Sequence, residues 1–110
     1  MSDLSTVEIL RGAKAVLERN GWTQGDFFDH EQWDGGTPPN ECRVCLRGAV
    51  NIVAAGHPVH MPIASGRAAD VLDELVGNAI RWNDAEDRTV DEVYALLDAA
   101  IARAEAVSGA

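Results

Sequence analysis

Two segments carry the S/T-x-x-E pattern that closes the first turn of a helix on itself, and nothing else in the chain constrains its fold as strongly. In Ser5-Thr6-Val7-Glu8 the Ser5 hydroxyl accepts from the Glu8 N–H and the Glu8 carboxylate accepts from the Ser5 N–H, so a helix is expected to begin there. Ile9, Leu10, Ala13, Val16 and Leu17 follow on one face, and Asn20-Gly21 supplies a left-handed stop. Thr89-Val90-Asp91-Glu92 repeats the pattern near the other end. From there Val90, Val93, Tyr94, Leu97, Ala100, Ile101 and Ala104 carry a long last helix almost to Gly109.

Between these helices lie two further periodic segments. Leu46, Ala49, Val50, Val53 and Ala54 share one face, with Gly56 and Pro58 as the stop. Ser65 is expected to cap a third helix whose stripe is Ala68, Val71, Leu72, Leu75, Val76 and Ala79 and which ends near Trp82-Asn83-Asp84. No stretch alternates as a strand does, so strand is expected only as a short pair between Trp22 and Val44. Residues 22–41 mix aromatic, acidic, Gly and Pro residues, and Pro38-Pro39 forbids a continuous helix, so the segment is read as a loop with room for a short turn of helix or strand. The expected architecture is therefore all-α: a compact four-helix single domain over residues 1–110 with a long irregular aromatic and acidic loop between helices 1 and 2. A chain of 110 residues suits one core of this kind.

Charge narrows the partners. Eighteen acidic residues against nine basic ones give a formal charge of −9. Direct nucleic-acid binding needs a cationic surface, and anionic lipid repels this one, so neither nucleic acid nor membrane is an expected partner. The opening MSDLSTVEILRG lacks the basic and apolar regions of a secretory signal, and the expected compartment is the cytoplasm. No cofactor is implied. A protein partner is expected, with a second copy of the chain as a further candidate.

Few residues can carry chemistry. Cys42, Cys45, His57 and His60 have the count and order of a two-Cys, two-His zinc site. A helix between Cys45 and His57 would hold them about 18 Å apart at 1.5 Å per residue, which one zinc cannot span. No metal site is expected. Cys45 at a helix start is also the position where backbone amides favour a thiolate, which allows a small Cys-dependent enzyme with His57, or else His60 or His30, as base and Asp84 or Asn83 orienting it. A buried structural Cys45 is the preferred alternative. Asp26, Asp29, Glu31 and Asp34 lack the spacing of a calcium loop and are read as a solvated rim, with Glu41 and a nearby Asp3. Within it Trp22, Phe27, Phe28 and Trp33 are the candidate partner-binding anchors. The expected function is a non-catalytic protein-interaction or regulatory module.

The succession of Asn20-Gly21-Trp22-x-Gln24-Gly25, Cys45-Leu46-x-Gly48-Ala49, Trp82-Asn83-Asp84, Arg88-Thr89 and Glu92-Val93 resembles a family of small uncharacterised actinobacterial and actinophage proteins, a domain of unknown function. The resemblance covers nearly the whole chain and implies a bacterial or phage protein of the cytoplasm. It contributes no activity, cofactor or catalytic residue. Cys45, Gly48, Trp82, Asn83 and Asp84 match its pattern, Cys42, His57 and His60 lie outside it, and the segment between Gly25 and Cys42 is longer than usual.

Overall fold

Both capping boxes form in the computed structural model, which describes residues 4–108; Asp3 and Gly109 lie outside the described residues. Helix α1 (Thr6–Asn20) opens with Glu8 N–H donating to Ser5 Oγ at 3.1 Å and Ser5 N–H to Glu8 Oε1 at 2.9 Å. It buries Ile9, Leu10, Ala13, Val16 and Leu17, the five residues of its sequence stripe, and ends at Gly21 with φ 97°.

Six α-helices rather than four occur among the described residues, because the loop holds a short helix, as its sequence allows, and the third expected helix is divided in two. The 22–41 loop contains a five-residue helix, α2 (His30–Asp34), whose first turn is capped by the Asp29 carboxylate, and a 3-10 turn at Pro39–Glu41. After α3 (Leu46–Ala55), helix α4 (Ile63–Val76) starts before Ser65, so Ser65 is not its cap. Pro62 holds the cap position, and the Ser65 hydroxyl donates to the Pro62 carbonyl at 2.8 Å within the first turn. The apolar spacing runs this helix on to Trp82-Asn83-Asp84, but the structure breaks it at Gly77, φ 89°. A separate helix α5 (Ala79–Asn83) follows, with the Asn78 side chain accepting from Arg81 N–H at 3.0 Å. Leu75, counted in the stripe, is 38% exposed near the end of α4, while Ala79 and Asn83 beyond the break are buried. Helix α6 (Val90–Ser108) has its own capping box between Thr89 and Glu92.

Helix α1 packs on α3, α4 and α6, and the shared core gathers residues such as Leu10, Leu17, Leu46, Val50, Leu72, Val93 and Leu97, all fully buried. No strand forms among the described residues. Two isolated bridges place Val44 parallel to Trp22 and antiparallel to Phe28, so the chain from Gly21 to Asp29 wraps around Val44 at the N-terminal end of α3. That wrapping brings the motif residues together.

Candidate functional site

Asn83, at the end of α5, is fully buried yet polar, so its amide must find partners. Its Oδ1 accepts from the Trp22 indole N–H at 2.7 Å and from Leu46 N–H at 3.0 Å; its Nδ2 donates to the Thr23 carbonyl at 3.3 Å and to Asp84 Oδ1 at 2.9 Å. Gln24 Nε2 donates to the carbonyls of Asn83 and Ala85, and Gly25 N–H donates to Asp84 Oδ1. One side chain thus ties the turn after α1 to the start of α3 and the end of α5. Gly48 completes the joint: a Cβ there would lie 2.3 Å from the Phe27 carbonyl oxygen, which also accepts from Cys45 N–H. Beside it the Arg88 guanidinium lies 3.9 Å from the centre of the Trp82 ring, donates to the Trp82 carbonyl, and pairs with Glu92.

Cys45 sits inside this joint, 3% exposed, as the N-cap of α3 with Sγ accepting from Gly48 N–H at 3.2 Å. Burial pushes its thiol up to about 11, against the opposing pull of the Gly48 and Arg47 amides. At neutral pH the thiol is then protonated. Asp84 lines the same small pocket as Cys45, but His57 lies past the far end of α3, which at 1.5 Å per residue is about 15 Å long. His57 stacks on His60 at 4.6 Å, and its Nδ1 accepts from Val59 N–H. The structure brings Cys45 and Asp84 together and leaves His57 apart. The Cys42 thiol is also fully buried and points to the Pro38 carbonyl at 3.4 Å, its pKa raised by burial. Among the described residues no three His, Cys, Asp or Glu side chains converge to hold a metal ion.

The four aromatic candidates divide by depth. Phe28 is 6% exposed and belongs to the core, Trp22 is half-buried with its indole tied to Asn83, and Phe27 is half-buried, whereas Trp33 on α2 is 48% exposed. Around Trp33 the structure assembles a group that spacing did not reveal. The Phe28 ring stacks on His30 at 4.3 Å and meets Trp33 edge-on at 5.7 Å and His57 at 6.3 Å. All three histidines of the chain therefore gather on one face, although His30 and His57 are far apart in sequence and no local pattern links them. The acidic residues beside it are partly engaged: Asp26 Oδ2 lies 3.2 Å from His30 Nε2, and Asp29 pairs with Arg43 at 3.0 Å. The Asp29 carboxyl is held below its usual range, chiefly by the Gln32 N–H of the α2 cap.

No helix among the described residues is long and apolar enough to cross a membrane. No curated protein and no solved structure matches the chain. A family model described as a family of unknown function, DUF6197, matches residues 1–103. Trp22, Leu46 and Asn83, from three of the five motif segments, meet in one joint, and with the match extending over nearly the whole length the chain belongs to this family of unknown function, DUF6197.

Proposed function

We propose that this protein is a non-catalytic binding module that docks another protein on the face where Trp33 stands exposed beside His30 and Phe28. The observation that carries this is the position of Trp33: 48% exposed, yet held in a frame of packed rings. An aromatic side chain presented this way contributes large contact area at low entropic cost, which is why Trp is enriched among the residues that dominate interfaces. Asp26, in contact with His30, and the exposed Glu31 and Asp34 on the same short helix as Trp33 supply acidic groups near it. A protonated, buried Cys45 separated from His57 favours binding over nucleophilic catalysis. The module acts by occupying or masking its partner, in the cytoplasm of a bacterium or as a phage product there, a setting that rests on the sequence resemblance.

Affinity capture with the full chain, followed by binding measurements on the purified partner, tests this. Trp33→Ala is expected to abolish binding while leaving the melting temperature nearly unchanged. Leu72→Ala, which empties a fully buried core site, is expected to cost about 2–5 kcal/mol of stability. A Trp33→Ala protein that binds its partner as tightly as the parent refutes the proposed face.

A further inference from the structure

A cavity of about 180 Å³ opens between the turn at residues 25–27 and α5, and the two charged residues that line it are both acidic. Asp26 lines it from the turn, its carboxylate accepting from Phe27 N–H and lying 3.2 Å from His30 Nε2, and Asp84 lines it from the end of α5, while Phe27, Ile80 and Cys45 supply apolar lining. The Asp84 carboxylate is fixed in place, because Oδ1 accepts from Gly25 N–H at 3.0 Å and from Asn83 Nδ2 at 2.9 Å. Its second oxygen has no hydrogen-bond partner among the described residues, and no Lys or Arg pairs with it. Arg81, one residue beyond Ile80, is exposed and pairs with neither carboxylate. Glu86 and Asp87, both exposed, add to the negative potential, in a chain whose formal charge is −9. The complement of this pocket is a cation.

Size and lining narrow the cation further. Pockets for drug-sized ligands run about 300–1,000 Å³, so this one suits the end of a single side chain. A lysine ammonium is compact and strongly hydrated and gains little from apolar walls. A guanidinium is weakly hydrated, packs against aromatic faces and grips a carboxylate with two N–H groups. We propose that the pocket receives an arginine side chain from a basic segment of the partner polypeptide. This rests on the proposed function only in taking the partner to be a protein. Asp26 lines the pocket and contacts His30, which packs against Trp33, so the pocket and the Trp33 face are neighbours.

The test is a titration of the full chain, followed by amide NMR, with a blocked Gly-Arg-Gly peptide and with matched peptides carrying lysine or the neutral isostere citrulline. The arginine peptide is expected to give saturable shifts at residues 25–27, 45 and 80–84, the lysine peptide weaker ones, and the citrulline peptide none. Asp84→Asn keeps an oxygen for the Gly25 N–H while removing the charge, and is expected to weaken binding about tenfold. Ile80→Arg, at a position 41% exposed, fills the pocket with its own guanidinium and is expected to block the titration; it decides the matter if Asp84→Asn loses the native spectrum. Absence of saturable shifts, equal shifts with citrulline, or unchanged binding in the variants overturns the proposal. Failure of the peptide titration with Trp33-dependent partner binding intact overturns the pocket alone, and the converse overturns the docking face alone.

Discussion

Replacing Asn83 by Ala removes one side chain and strands groups on two other segments. Leu46 N–H, fully buried at the start of α3, and the Trp22 indole N–H both donate to Asn83 Oδ1 and have no other acceptor among the described residues. A buried donor left unpaired costs about 1–3 kcal/mol; Leu46 N–H meets that cost in full and the half-buried indole only part of it, so the two together cost about 1–4 kcal/mol. This is a large part of the roughly 5–15 kcal/mol that stabilises a typical domain. At this chain length about 4 °C is lost per kcal/mol, so the melting temperature should fall by at least about 4 °C. Urea denaturation followed by far-UV circular dichroism supplies the free energy directly. Trp22→Phe removes only one donor and leaves Oδ1 paired with Leu46 N–H, so it should cost about 0.5–1.5 kcal/mol. In the Asn83→Ala background the same change should cost less, because the indole is already stranded. A loss below about 1 kcal/mol for Asn83→Ala, or strict additivity of the pair, refutes the hub.

Two glycines predict opposite signs. Gly48→Ala drives a Cβ to within 2.3 Å of the Phe27 carbonyl and should destabilise by about 1–3 kcal/mol, whereas Gly66→Ala, inside α4 with nothing within 4 Å, should stabilise by about 0.5–1 kcal/mol; equal effects in a denaturant titration would contradict the close approach. Cys45 should react with iodoacetamide far more slowly than a free peptide thiol at pH 7, since its pKa is pushed up to about 11; alkylation at the free-thiol rate while the protein is folded would show an accessible thiolate. The Glu8 and Glu92 carboxyls are held below their ordinary value, chiefly by the Ser5 and Thr89 N–H groups of the capping boxes. Because the folded-state pKa is depressed, their contribution is present above the unfolded value of about 4.3 and is lost as pH falls through the folded one. The stability gap between the parent and a Glu8→Gln, Glu92→Gln variant should therefore be constant from neutral pH to about 5 and narrow below about 4; a gap independent of pH would rule out the capping carboxylates as its source.

The ends of the molecule were legible residue by residue. A capping box is an exchange between groups three residues apart, and the α1 stripe needs only the helical repeat to bring five apolar side chains to one face, so both are written locally. The break at Gly77 was written locally too, in Gly77-Asn78, but Ala79 continues the apolar stripe across it, and periodicity alone does not weigh a glycine turn against one more matching residue. Burial of Asn83 depends on Trp22, sixty-one residues away in sequence, whose indole supplies the partner that makes a buried amide tolerable. The division of the aromatic loop into a core Phe28 and an exposed Trp33, the gathering of His30 with His57, and the raised pKa of Cys45 have the same origin. Composition declares that these side chains gain from burial, but how much water each loses is set by which distant segments close over it, and that exists only once α1, α3 and α5 have packed.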